Sequence, residues 1–207
     1  MARGRASSYD DQRINILAQA ARLFARQGYA ATSMNQVADA CGLSKAALYH
    51  YFRDKYALLT HIAETHVQLL LAVTLEVETA YPQPQQRLQA LIERFVREYS
   101  GAQDAHHVLT GEVRFLDVPD RDRILGIERE VVVHFAQAIS EVRPELRASA
   151  LDKPLSMLLF GMINWLFTWF KPSQPLDYST LAPLVADVFL NGMRGLHVPN
   201  NSLMTEP

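Results

Sequence analysis

Between Ser33 and Phe52 the chain offers two short helical patterns separated only by Cys41-Gly42-Leu43-Ser44, and this spacing constrains the fold more than any other stretch. A three- to four-residue turn containing glycine makes two helices cross closely, which is a helix-turn-helix arrangement. The first pattern, residues 33–41, opens on Thr32 and Ser33, both N-cap types, and closes at Gly42. The second, residues 44–52, is capped by Ser44. Leu43, Ala47, Leu48 and Phe52 fall on roughly one side of it, and Lys45, Tyr49, His50 and Tyr51 crowd the rest. A helix lying in a DNA major groove needs this division: apolar residues inward, and donors outward for phosphates and base edges. The plain alternative is a solvated face that is aromatic by accident.

Charge argues for the first reading. Net charge is only −2, but residues 1–60 carry eight basic side chains (Arg3, Arg5, Arg13, Arg22, Arg26, Lys45, Arg53, Lys55) against Asp10, Asp11, Asp39 and Asp54. That third of the chain is +4 and the remainder −6. A basic end on an acidic body suits a molecule that meets a polyanion at one end.

The rest of the chain is patterned as helix, so the fold class is all-α, with about nine helices. Asp10 and Asp11 precede the apolar series Ile14, Leu17, Ala18, Ala21 and Phe24, which stops at Gly28. Asp54 opens a long helix to about Ala80, broken by Tyr81-Pro82-Gln83-Pro84-Gln85. Further helices are expected at about 84–101, 103–117, 120–143, 147–171 and 178–197, with breaks at Gly101, Pro119, Pro144, Pro172 and Pro175. The expected division is a DNA-binding domain over 1–55, a second helical domain over 56–197 and a loose tail over 198–207. The longest apolar run, Leu155 to Phe170, is 16 residues and falls short of the roughly 20 a membrane span needs. No secretory signal opens the chain, and Cys41 is the single cysteine, so a reducing cytoplasm is the expected setting and no membrane is expected as a partner.

The stretch Gly28-Tyr29-Ala30-Ala31-Thr32-Ser33 through Leu58-Leu59 resembles the N-terminal DNA-binding domain of the TetR family of bacterial transcriptional repressors. The most specific part is Leu48-Tyr49-His50-Tyr51-Phe52, followed by a charged pair and Lys55. The resemblance implies that Thr32 and Ser33, with Asn35, present to phosphates, and that the recognition helix uses Ser44, Lys45, Ala46, Ala47, Tyr49, His50 and Tyr51. It implies that Lys55 is a phosphate clamp. Ala46 and Ala47 can offer only methyl contacts to thymine, so base discrimination falls largely on Lys45, with His50 and Tyr51 as helpers. The leader Ala2-Arg3-Gly4-Arg5 is either a minor-groove arm or a disordered start.

The family resemblance further implies a palindromic operator bound by a homodimer, repression relieved by a small-molecule effector, and no enzymatic activity or cofactor. The helix over 155–170 is apolar nearly all round and so must be covered on every side. Leu181, Val185, Val188, Gly192 and Gly195 form a stripe on the last helix, and glycine lets another helix approach closely. These surfaces are the expected dimer contact, with ordinary core as the alternative. Candidate effector contacts are Phe115, Phe135, Phe160, Asn164, Trp165 and Trp169, with His106, His107, His134, Arg114 and Lys171 as polar contributors. Residues 161–172 resemble the matching helix of TetR-type repressors that respond to acyl-coenzyme A thioesters, which makes such a thioester one expected effector. A different lipophilic or aromatic compound stands beside it. An architectural DNA-binding protein would not need so large an acidic, apolar body. His61, Glu64 and His66 have the wrong spacing for a metal set, since histidines five apart do not share a helical face.

Overall fold

The computed structural model describes residues 3–171 and 176–197. Among these the chain forms ten α-helices and no strand: α1 Arg3–Gln27, α2 Met34–Ala40, α3 Lys45–Tyr51, α4 Lys55–Ala80, α5 Pro84–Gly101, α6 Gln103–His107, α7 Val118–Val142, α8 Pro144–Ala148, α9 Asp152–Trp169 and α10 Tyr178–Arg194. Two compact units share them. One takes the chain up to Leu69 together with Ala102–Gly126, and the other takes Leu70–Gly101 with the residues from Ile127 on. The boundary expected at residue 55 therefore does not follow the packing, because α4 and α7 each run through both units.

In the first unit, Ile16, Ala20 and Phe24 of α1, Val37 of α2, Leu48 of α3, Phe52, and Leu58, Leu59 and Ile62 of α4 are buried. The turns between them are fixed locally. Gly28 ends α1 at a φ of +84°, with its N–H on the Phe24 carbonyl at 2.9 Å, and Gly42 adopts a φ of +65° after α2. Ser33 and Gln36 form a reciprocal capping box at α2. The Ser44 hydroxyl accepts from the Ala47 N–H at 3.1 Å, and Asp54 accepts from the Ala57 N–H at 2.7 Å.

Three expectations change here. Asp10 and Asp11 do not open α1, which is helical from Arg3, so the leader expected to be an arm or disordered is helical at residues 3–5. The helix expected over 103–117 breaks after His107 into a π-helical turn, Val108–Glu112, and a 3₁₀ turn, Val113–Phe115. Within this segment the Thr110 hydroxyl donates to the carbonyls of His106 (3.0 Å) and His107 (3.3 Å), and Gly111 beside it is a weak helix former. The helix expected over 147–171 divides into α8 and α9, and the last helix ends at Arg194. Pro172, Pro175 and the expected tail lie outside the described residues.

In the second unit, α5 carries a strongly one-sided apolar face of Leu88, Leu91, Ile92, Phe95, Val96 and Tyr99. It packs against α10, on which Ala182, Ala186, Phe189, Leu190 and Met193 are buried. Phe95 meets Phe135 of α7 edge-on at 4.7 Å, and Phe135 meets Phe160 of α9 at 4.9 Å. An Arg87–Glu141 ion pair ties α5 to α7, and Arg143 donates to the Met193 carbonyl. Of the described helices, α4 rather than α9 has the length and apolarity of a bilayer span, but half of that window is buried inside the protein.

Candidate nucleic-acid interface

α2 and α3 are seven residues each, and their exposed sides bear the polar groups that the sequence assigned to DNA. Leu48 and Phe52 anchor α3 in the core, while Ser44, Lys45, Ala46, Tyr49 and His50 are exposed and Ala47 and Tyr51 half-buried. The Lys45 ammonium lies 6.0 Å from the Tyr49 ring centre, leaving its donors toward solvent. Tyr51 is held from behind: Tyr9 of α1 stacks on it at 4.7 Å and 24° and meets His50 edge-on at 6.4 Å. That partner escaped the sequence reading, since nothing in a one-dimensional pattern aligns α1 with α3. On α2, Ser33 and Asn35 are exposed.

Two predicted phosphate contacts point inward instead. Thr32 is 2% exposed, and its hydroxyl donates to the Gly28 carbonyl at 2.8 Å and accepts from Gln27 at 3.0 Å. The Lys55 ammonium donates to the carbonyls of Tyr29 (2.7 Å), Ala30 (3.2 Å) and Thr32 (2.7 Å) and lies 4.3 Å from the Tyr29 ring centre. An ammonium has three protons, and all three are engaged. Desolvation lowers the Lys55 pKa and, with Asp54 as the lesser cause, raises that of Tyr29. Lys55 thus closes the 28–32 turn rather than standing free for a phosphate.

The start of α4 is tied down next to this. The Tyr56 hydroxyl donates to Asp120 at 2.9 Å and accepts from the Asp117 N–H at 3.2 Å, and burial is the main cause that pushes its pKa up to about 12. Arg123 pairs with Asp120 at 2.6 Å and with Glu64.

A basic helix-turn-helix with this signature has known counterparts. Residues 16–62 match the family described as bacterial regulatory proteins, tetR family, and residues 81–193 match the tetracyclin repressor-like C-terminal domain. The chain belongs to the TetR family. It resembles a TetR-family transcriptional regulator from Bordetella parapertussis at 34% identity over 90% of this chain and 98% of that one, with a TM-score of 0.82. The transcriptional repressor KstR2 of Mycobacterium tuberculosis is 26% identical over 91% of this chain and 96% of its own. AibR, solved in complex with isovaleryl coenzyme A and operator DNA, is 26% identical over 86% of this chain and 97% of that one, with a TM-score of 0.73. As a TetR-family member the chain is a non-enzymatic, DNA-binding transcriptional regulator with a helix-turn-helix head and a helical C-terminal domain.

The effector candidates of this TetR-family regulator are divided between the two units. His106, Arg114 and Phe115 belong to the first unit. His106 is buried with a ring nitrogen 3.2 Å from His66, Arg114 and His107 are exposed, and Phe115 lies 5.3 Å from the Tyr29 ring. Phe135, Phe160, Asn164, Trp165, Trp169 and Lys171 belong to the second. Phe135 and Phe160 are core, and Asn164, one turn beyond Phe160 on the same face, has a buried Oδ1 with no hydrogen-bond donor among the described residues. His134 is paired with Glu78 at 2.8 Å. Trp165 and Trp169, expected as a pocket wall, are instead 64% and 56% exposed, and Lys171 is exposed too. Sequence reading missed Glu128, whose carboxyl pKa burial raises, and the buried Tyr99, raised by desolvation first and by Glu128 second.

The residues expected as a dimer stripe face outward only in part. Val185 is buried in its own unit and Leu181 half-buried, whereas Leu184, Val188, Gly192 and Gly195 face outward. On α9, Met157, Leu158, Gly161, Met162, Trp165 and Trp169 are exposed. His61, Glu64 and His66 have separate partners in Phe52, Arg123 and His106, and no metal-holding cluster occurs among the described residues.

Proposed function

We propose that this regulator is a cytoplasmic repressor that grips a palindromic operator as a homodimer and releases it on binding an acyl-coenzyme A thioester. The observation that carries the DNA contact is the division of α3, with Leu48 buried and Ser44, Lys45, Tyr49 and His50 presented outward. Ser33 and Asn35 of α2 take phosphates, Lys45 reads base edges, and Ala46 and Ala47 supply methyl contacts. Tyr51, braced by Tyr9, keeps its hydroxyl available as a helper.

Dimerisation is supported by the outward apolar residues of α9 and α10. Exposed indoles, leucines and methionines on two helices that touch ask for a cover, and a second copy of the same two helices supplies a self-complementary one. Trp165 and Trp169 belong with that surface in this reading.

For the effector, support comes from the likeness to AibR, solved with isovaleryl coenzyme A, and to KstR2, described as a ketosteroid regulator. The chemistry of the second unit is compatible: an aromatic cluster of Phe95, Phe135 and Phe160 suits an acyl group, and the unpartnered Asn164 Oδ1 suits a donor such as an amide N–H. The test uses an operator selected from a random duplex pool. Alkyl- and aryl-acyl-coenzyme A esters, with the free acids as controls, are added to the preformed complex. Release by a thioester at micromolar concentration is the expected result. Release by a free acid or an unrelated aromatic compound alone removes the thioester from the reading and leaves the repressor intact.

A further inference from the structure

Glu112 is a carboxylate only 7% exposed, at the end of the π-helical turn, and 83 positions from the residue it serves. Its Oε2 accepts the main-chain N–H of Tyr29 at 2.9 Å. The nearest cation, Arg114, approaches only to 3.8 Å through Nη2. Three residues on, the Phe115 ring packs 5.3 Å from the ring of the same Tyr29. Tyr29 is therefore held twice by the 112–115 segment, through its backbone and through its ring. The opposite side of the turn, formed by the carbonyls of Tyr29, Ala30 and Thr32, is held by Lys55.

We propose that Glu112 is a positioning residue for DNA binding: it fixes the 28–32 turn, and so the entry of α2, where Ser33 and Asn35 meet the phosphate backbone. The inference rests on the reading of α2 and α3 as the DNA-contacting surface. A turn satisfied by an ammonium on one side and a carboxylate on the other has one geometry. Without the carboxylate, the Tyr29 N–H is left to water and the turn samples others, so each phosphate contact must first reorder it. The sign of the effect separates positioning from electrostatics. Deleting an acid from a basic, polyanion-binding head should by charge alone tighten DNA binding. Positioning requires the opposite.

A phosphate grip acts on any sequence, so a random-sequence duplex of about 30 base pairs at low salt is a sufficient probe. Full-length Glu112→Ala, Glu112→Gln and Ser33→Ala proteins are titrated against it, and amide exchange at Tyr29 is followed in each. Glu112→Ala should bind roughly ten-fold more weakly, the size of one charge-assisted hydrogen bond, with faster exchange at Tyr29. Glu112→Gln keeps the acceptor while losing the charge, and should bind at least as tightly as the parent with Tyr29 still protected. Unchanged or tighter binding by Glu112→Ala beside a weakened Ser33→Ala overturns the role of Glu112 alone. Equal losses in the Ala and Gln variants do the same, because charge and not the acceptor would then be at work. A Ser33→Ala protein that binds like the parent overturns the interface reading beneath it. Should Glu112→Ala not fold, the parent protein decides: an unprotected Tyr29 amide removes the lock.

Discussion

Replacing Lys55 with alanine separates two accounts of the same residue. As a phosphate clamp, Lys55 would add one counterion-releasing contact, and its loss would flatten the dependence of log affinity on log salt by about 0.9. The structure gives it other work, with three carbonyls at 2.7, 3.2 and 2.7 Å and the Tyr29 ring at 4.3 Å. Hydrogen bonds to a charged donor contribute about 1.5–3 kcal/mol each, but here one ammonium is shared three ways. Water also replaces it readily at the exposed Ala30 carbonyl. Lys55→Ala should then cost about 2–4 kcal/mol of folding stability, a large share of the 5–15 kcal/mol typical of a domain. Its salt slope should stay within about 0.3 of the parent's, while DNA of every sequence is bound more weakly. Urea melts give the first quantity, and titrations at four or more salt concentrations, on selected operator and on scrambled duplex, give the second. Lys55→Arg sharpens the comparison. A guanidinium restores a phosphate contact but cannot converge its fork on three carbonyls that meet at a point. Restored DNA binding in Lys55→Arg, or a slope lowered by about one with stability intact, would refute the turn-anchoring argument and return Lys55 to the phosphate.

Lys45→Ala should narrow the gap between operator and scrambled duplex by about 1–3 kcal/mol, the worth of a base contact, as competition titrations read directly. Gly192→Leu should raise the dimer dissociation constant about five- to a hundred-fold, measured by sedimentation. An added Cβ there meets nothing within 4 Å among the described residues, so the thermal melt of the monomer should not fall. Tyr56→Phe should destabilise the protein at neutral pH by about 1 kcal/mol or less, since the pair is only half-buried. The Asp120 carboxyl pKa is held below the ordinary carboxylate range by hydrogen bonds from Arg123 first and Tyr56 second. Stability from that depression is present above the unfolded-state pKa and lost as pH falls through the folded one, so the difference from the parent should shrink below about pH 4.

The head was legible because its instructions are local. Ser33 with Gln36, Gly42 and Ser44 each act within four residues, and the apolar positions of α3 repeat at the helical period. Thr32 and Lys55, which the sequence offered to phosphates and the folded head turns onto its own carbonyls, are groups whose chemistry suits both equally well. An ammonium seeks any convergent set of oxygens, and only the folded turn shows that the protein provides one. Tyr9 and Glu112 were invisible for the related reason that their partners lie 42 and 83 positions away.

The body hid its surfaces for a different reason. Amphipathy marks the buried face of a helix only when the other face meets water, and α9 from Leu155 to Trp169 is apolar nearly all round. Burial then distinguishes what periodicity cannot: Leu159, Phe160, Ile163 and Leu166 are inside, while Met157, Leu158, Trp165 and Trp169 are outside. Two indoles four residues apart look the same in sequence whether they wall a cavity or await a partner helix. Exposure of both, with Leu184 and Val188 outward on α10, favours the partner. The same logic reverses the meaning of Gly192. Among the described residues nothing lies within 4 Å of its Cβ position, so it relieves no crowding between them. A glycine facing outward beside Leu184 and Val188 leaves room for the close approach of a helix, which fits the proposed contact with a second copy.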